Sequence, residues 1–247
     1  MYASLPGIDV YFEDHGAGAP LVLLHGGMQT LDLSFGALMP LLTPHRRVIP
    51  IELQGHGRTA DPADREVTLA NQAGDVVGVL DHLGLARADV LGFSWGGYVA
   101  LETALRHPDR VDRLVLAAVN TRADGYHAEI HDPEQWATST RMPSEHDFTA
   151  MVGEYERYGI STFEAVNAKL QPIVGAEQNW TPEQLATITA PTLLMIGDHD
   201  FVRVDHAVAM QEAIPDAGLA VLPRTKHTKV ISRVGLVAPL VEDFLAR

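Results

Sequence analysis

The chain has 247 residues, 46% of them hydrophobic and 20% charged, which fits one large α/β domain, or one domain with an insertion, able to bury its own core. A formal net charge of −14 argues against nucleic acid and anionic membrane surfaces as partners, and reads mainly as a device for solubility. The absence of cysteine excludes disulfides, zinc–thiolate centres and cysteine nucleophiles. Residues 1–10 carry no basic stretch followed by an apolar one, and no uninterrupted apolar run reaches the ~18 residues of a membrane span, so a cytoplasmic protein is expected.

In chain order, residues 8–13 alternate enough for a strand, and His15-Gly16-Ala17-Gly18 reads as a turn. Leu21-Val22-Leu23-Leu24 is a continuous apolar run, as expected of a strand buried on both faces, and ends in His25-Gly26-Gly27. A strand over 47–51 runs toward Gly55-His56-Gly57. Residues 67–83 have helical spacing, with Leu69, Ala73, Val76, Val77 and Leu80 on one side and Gly84 as the stop. Strands over 88–91 and 113–118 flank a helical run over 98–105. From 121 to 189 no strong strand run occurs; aromatics and Pro133, Pro143, Pro172 and Pro182 predict short broken helices. Strands return at 192–197 and 218–222, with helices over 204–213 and 230–246, the last containing Pro239. This alternation predicts an α/β fold with a mostly parallel sheet and helices on both faces. The core is expected to comprise 1–120 and 190–247, with 121–189 as a helical lid inserted over the strand ends.

Chemistry concentrates at Gly92-Phe93-Ser94-Trp95-Gly96, a G-x-S-x-G pattern between a predicted strand and a predicted helix. A serine at the tip of such a turn is exposed above the sheet. Small neighbours let strand and helix pass closely, and the helix N-terminus favours negative charge beside it. A serine hydroxyl also needs a base in hydrogen-bond reach and a carboxylate to orient that base. His227 follows the last strand and precedes the last helix, which makes it the candidate base. Asp198 and Asp200 both lie just past the 192–197 strand and compete for the acid. An oxyanion hole needs two backbone N–H groups, and these are assigned to Trp95, after the nucleophile, and to Gly27, in the loop after the 21–24 strand. Met28, Phe93, Trp136 and Tyr158 are candidates for the substrate pocket wall. His25 and His56 are expected to order their loops by hydrogen bonding. His127 and His131 have the i, i+4 spacing of a helical metal site but no obvious third ligand, so no metal is expected.

His25-Gly26-Gly27, Gly55-His56-Gly57-Arg58, Gly92-Phe93-Ser94-Trp95-Gly96-Gly97, Gly197-Asp198-His199-Asp200 and His227, in this order across nearly the whole chain, resemble the α/β-hydrolase superfamily. The resemblance implies a mostly parallel eight-stranded sheet, a Ser-Asp-His triad and a helical lid after the sixth strand. Its Gly-x-x-Asp spacing favours Asp200 over Asp198, giving Ser94, Asp200 and His227. A serine at the elbow is similar to the esterase, lipase, lactonase and peptidase branches, and unlike those with aspartate there. The chain departs from the pattern at Glu52-Leu53-Gln54, where many members carry Asp-x-Arg, and at Arg224-Thr225-Lys226, where many place glycine before the histidine.

These features predict a serine hydrolase acting on a small, mostly apolar carboxylic ester or lactone through an acyl-enzyme on Ser94, with no metal or organic cofactor. Alternatives on the same triad are a carbon–carbon bond hydrolase, a perhydrolase and a proline-type aminopeptidase, the last using Glu129, Glu134 or Glu154 to hold a substrate amine. A slow-turnover ligand receptor is the non-enzymatic alternative. The expected partner is a small molecule, not nucleic acid or membrane; the sequence does not speak to oligomeric state.

Overall fold

The computed structural model describes residues 1–159, 162–173 and 179–246. Strands β1 (Tyr2–Leu5) and β2 (Ile8–Tyr11) form an antiparallel hairpin. Then come β3 (Pro20–Leu24), two short helices α1 (Leu31–Phe35) and α2 (Met39–Leu42), β4 (Arg47–Ile51), α3 (Leu69–His82), β5 (Ala88–Phe93), α4 (Trp95–Arg106) and β6 (Val111–Ala117). Between β6 and β7 (Thr192–Gly197) lie α5 (Pro133–Thr138), α6 (Glu145–Tyr158), α7 (Phe163–Leu170) and α8 (Pro182–Leu185). The chain closes with α9 (Val204–Ala213), β8 (Ala217–Leu222) and α10 (Val234–Leu245).

Six strands form a parallel sheet in the order β4-β3-β5-β6-β7-β8. The eight strands implied by the resemblance therefore divide as six plus two. The β1–β2 hairpin pairs with itself and packs Ala3, Ile8 and Val10 into the core, and just beyond it isolated antiparallel bridges, Phe12 to Ile51 and His15 to Val48, tie the chain to β4. Pro50 lies in β4, at the sheet edge, where a missing N–H costs least.

Side chains alternate between two apolar layers. Val22, Leu24, Val90, Leu116 and Leu194 face one side and pack with Val76 and Leu80 of α3 and Val99 of α4. Leu21, Leu23, Leu91, Val115 and Leu193 face the other and pack with Phe35, Leu42, Val237 and Val241 from α1, α2 and α10. Burial on both faces explains why these strands read as unbroken apolar runs. Each fully buried Leu or Val contributes about 1.5–3 kcal/mol.

Strand order places the site. From β3 the chain moves outward to β4, then crosses back to β5 on the other side of β3. The direction of winding reverses between β3 and β5, and loops leaving their carboxyl ends diverge around a crevice. Leu24 pairs with Gly92, so the loop after β3 and the turn after β5 emerge side by side.

Prolines punctuate the segment between β6 and β7 as expected. Pro133 and Pro182 open α5 and α8, Pro143 precedes α6 and Pro172 follows α7. Residues 160–161 and 174–178 of this segment lie outside the described residues. Pro239 lies inside α10 without ending it.

Candidate active site

The turn joining β5 to α4 holds Ser94 at φ 51° and ψ −114°, a left-handed conformation that L-residues adopt at a cost of roughly 1–3 kcal/mol. Two glycines permit it. A Cβ on Gly92 would overlap the carbonyl oxygen of Gly96, and one on Gly96 would overlap that of Leu24. Strand, helix and the loop after β3 therefore meet backbone to backbone. The Gly96 N–H donates to His25 O at 3.0 Å, joining the turn to that loop, and the Ser94 N–H donates to Ala117 O of β6 at 2.8 Å.

Ser94 Oγ lies 2.8 Å from His227 Nε2, and His227 Nδ1 lies 2.8 Å from Asp200 Oδ1. A carboxylate can only accept, so Nδ1 carries the ring proton and Nε2 accepts from the Ser94 hydroxyl. Asp200 is fully buried; its Oδ1 also accepts from the Val202 N–H at 2.9 Å, while Oδ2 has no partner among the described residues. Asp198, the competing acid, points elsewhere. It is exposed and accepts from the Thr225 N–H at 3.0 Å, clamping the loop that carries His227. Hydrogen bonds from the Arg224 and Thr225 amides hold its carboxyl below the usual range.

Gly97 and Tyr98 N–H donate to Ser94 O, and Gly96 N–H to His25 O, so the Trp95 amide is the first unclaimed donor of α4. Among the described residues neither it nor the Gly27 amide meets a protein acceptor. The two residues stand close together, since a Cβ on Gly27 would lie 3.3 Å from Trp95 Cβ.

His25 and His56 brace this loop, as their sequence positions predicted. His25 Nδ1–H donates to Gly26 O at 2.9 Å, and its Nε2 accepts from Leu53 N–H at 3.0 Å. His56 Nδ1–H donates to Gln54 O at 3.0 Å, and its Nε2 accepts from the N–H of Met28, itself at φ 62°, at 3.2 Å. Both rings are fully buried and suited only to the neutral form. Burial pushes His56 down to about 4 and His25 well below its usual value. A depressed histidine contributes stability that is complete above about pH 6.5 and is lost as pH falls toward the folded-state value. For His56 alone the loss between pH 7.5 and pH 5 is expected to be about 2 kcal/mol. Asp75, pushed up to about 6 by burial, acts in the opposite sense below pH 6. The measurement is therefore a difference: urea unfolding of wild type and His56→Gln at both pH values. Wild type should lose about 2 kcal/mol more than the variant; equal losses would contradict the assignment.

The Glu52-Leu53-Gln54 departure has a structural role of its own. Glu52 is fully buried and accepts from the Arg58 backbone N–H at 2.5 Å and from its guanidinium at 2.5 and 3.0 Å. Gln54 joins Asp61 and Arg65, and Arg65 pairs with Asp75 at 2.7 Å. These bonds shape the Gly55-His56-Gly57 turn that presents His56 to Met28.

The four proposed pocket residues separate. Phe93 is buried with its ring 5.4 Å from that of His227, and Met28 is half-buried beside the loop after β3. Trp136 is 40% exposed on α5, and no described contact links it to Ser94. The Tyr158 hydroxyl donates to Asp32 and its ring lies against Arg58, 4.6 Å from the guanidinium carbon, in a charged cluster at the rim. Residues from α7 come nearer: Leu170 Cδ1 lies 3.6 Å from where a Gly27 Cβ would stand, and Val166 packs over Gly55. His127 and His131 flank a single tight turn, with His131 Nε2–H donating to Ala123 O. Glu129 meets Ser139 and Arg141, and Glu154 meets Thr30 and Arg157.

Sequence reasoning missed Phe201, whose ring stacks on His227 at 3.8 Å between centroids and 20° between planes. It also missed Arg141, which donates to Asp200 O at 2.8 Å. A buried Tyr98–Asn120 and Tyr98–Tyr126 hydroxyl network behind the site went unread as well. Adjacency of Phe201 to Asp200, and Tyr98 one helical turn after Ser94, were the available signals.

A parallel sheet whose winding reverses between β3 and β5, with serine, imidazole and carboxylate converging at its carboxyl edge, defines a hydrolase-type α/β protein. The family model described as alpha/beta hydrolase fold matches residues 19–150, and the chain belongs to that family. It is 30% identical to 2-hydroxy-6-oxo-2,4-heptadienoate hydrolase of Pseudomonas putida (strain F1), over 97% of this chain and 94% of that one. Among solved structures it is similar to Est816, described as an N-acyl homoserine lactone degrading enzyme, with TM-score 0.82, 25% identity and 99% and 100% of the two chains covered. It is likewise similar in fold to the enol-lactonase from Burkholderia xenovorans LB400, with TM-score 0.81, 23% identity and 100% of each chain covered. Among the described residues no helix is long and apolar enough to cross a membrane.

Proposed function

We propose that this protein is a serine hydrolase that cleaves a small, mostly apolar carboxylic ester or lactone. The observation that carries the reading is the continuous bond path from Ser94 Oγ to His227 to Asp200, with 2.8 Å at each step. Ser94 Oγ attacks the substrate carbonyl as His227 Nε2 takes its proton, and Asp200 stabilises the resulting imidazolium. The oxyanion is held by the Gly27 and Trp95 amides, each such donor being worth roughly 3–4 kcal/mol. His227 then protonates the leaving alkoxide, leaving an acyl group on Ser94. A water, deprotonated by His227, attacks that ester and restores the serine.

In this reading residues 121–189 act as a lid over a core made of 1–120 and 190–247. Support comes from Leu170 and Val166 standing over the glycine loops, and from the apolar company of Trp95, Tyr98, Tyr155, Leu170 and Trp180. A mainly apolar acyl or lactone ring suits apolar side chains gathered beside the serine turn. A second reading, carbon–carbon bond hydrolysis, is favoured by the relative whose name specifies a 2-hydroxy-6-oxo-dienoate and which matches nearly the whole chain. There a ketone carbonyl would receive the serine and a carbanion would leave.

One substrate panel decides. Short-chain p-nitrophenyl esters, γ- and δ-lactones and 2-hydroxy-6-oxo-2,4-heptadienoate are compared by kcat/KM with the same enzyme. The ester or lactone reading expects its best substrate to exceed the dienoate by at least about tenfold, a difference of about 1.4 kcal/mol in transition-state binding. The reverse order would replace it with the second reading.

A further inference from the structure

We infer that Phe201 is a positioning residue of this site: its ring, lying flat against the His227 imidazole, holds the base in line with Ser94 and favours its protonated form during turnover. The inference rests on the Ser94–His227–Asp200 reading above. The geometry is specific. Centroids 3.8 Å apart and planes 20° apart place the π face of one ring over the other, while the tilted Phe93 ring stands 5.4 Å from the same imidazole. The stacking contact leaves the two imidazole nitrogens free to point along the Ser94–Asp200 line.

The backbone keeps Phe201 in place. Its carbonyl accepts from the His127 N–H at 2.9 Å, Val202 bridges to Tyr126, and the Val202 N–H is bound by Asp200 Oδ1. The ring of Tyr126 supports it from the side at 5.8 Å. A side chain strapped this way restricts rotation of the base, which matters because a misplacement of about 1 Å can cost ~100-fold in rate. It also has an electronic effect. The negative face of a phenyl ring attracts a cation, and His227 becomes one when it takes the serine proton.

The other charges around His227 include the triad aspartate itself, Arg224, Lys226 and Lys229 on its own segment, Arg233 and Asp198 bonded to Thr225, Asp147 of α6 paired with Lys229, and Arg141 on the carbonyl of Asp200. The phenols of Tyr98 and Tyr126 stand behind Asp200. None of them changes when Phe201 is replaced by leucine, which keeps an apolar side chain over the ring but removes the π face.

Histidine Cε1–H NMR titration of the full chain reads the effect without substrate, the His227 signal being identified by its loss in His227→Gln. In Phe201→Leu the His227 midpoint should fall by about 0.5–1 pH unit, and Phe201→Tyr should stay with wild type. The acid limb of Ser94-dependent kcat/KM should move the same way, with its plateau down about 3- to 10-fold. Phe201→Met serves as a second aliphatic variant if leucine impairs folding. A midpoint that does not move, or moves upward, in a variant with wild-type melting behaviour overturns the inference. Turnover that survives Ser94→Ala overturns the hydrolase reading instead, while the titration still reports whether ring and imidazole interact.

Discussion

Ser94→Ala is expected to leave the fold intact and to lower kcat by on the order of 10⁴-fold or more. The size of the loss follows from geometry. Without Oγ, the imidazole that lies 2.8 Å from it has no nucleophile to activate, and what remains is binding plus the two backbone donors. The fold should not suffer, because serine already occupies the strained φ of 51° and alanine brings no larger Cβ. The local bonds are made by the backbone: Ser94 N–H to Ala117 O, and Gly97 and Tyr98 N–H to Ser94 O. Steady-state kinetics alongside thermal melting checks both halves. Near-wild-type turnover in a folded variant would remove Ser94 from the mechanism.

Asp200→Asn and Asp198→Asn should differ by orders of magnitude although the residues are two apart. At position 200 the amide must present either oxygen or nitrogen to His227 Nδ1. With oxygen there, the new NH₂ group takes the place of Oδ2, which is buried and without a partner among the described residues, so a donor is left unsatisfied. With nitrogen there, the imidazole must shift its proton to Nε2, where it can no longer accept from Ser94. Either outcome removes the negative charge that stabilises the imidazolium, and a loss of about 10⁴ in kcat is expected. At position 198 the side chain is exposed and accepts from loop amides, of which the Thr225 N–H can still be met by an asparagine oxygen. The expected loss there is below about threefold. Equal small losses would refute Asp200 as the acid.

The parallel sheet was legible because its strands are buried on both faces and so spell continuous apolar runs. The elbow was legible because only glycine fits at positions 92 and 96, where Cβ atoms would strike backbone. The β1 strand was not, since a four-residue hairpin partner with alternating burial leaves a weak pattern. Nor was the division of eight strands into six and two, which depends on where pairing stops rather than on composition. Asp200 and Asp198 could not be separated by residue type or by strand-end position. What separates them is the direction of each side chain, one inward to His227 and one outward to Thr225. Pocket residues were the least legible. Met151, Tyr155 and Tyr158 share one face of α6, yet the first two are buried and the third overhangs the rim to meet Asp32 and Arg58. A helical stripe reveals a buried side, not where along the helix its support ends.

In the proposed mechanism hydrolysis depends on the hydroxyl of Ser94, and its reactivity can be read directly. Whole protein treated with a fluorophosphonate ester, digested and mapped by mass spectrometry should carry one stoichiometric adduct on the peptide containing Ser94, and should carry none there in His227→Gln over the same interval. A serine 94 that stays unlabelled in the folded protein, or labels equally fast without the histidine, would contradict an activated nucleophile at this turn.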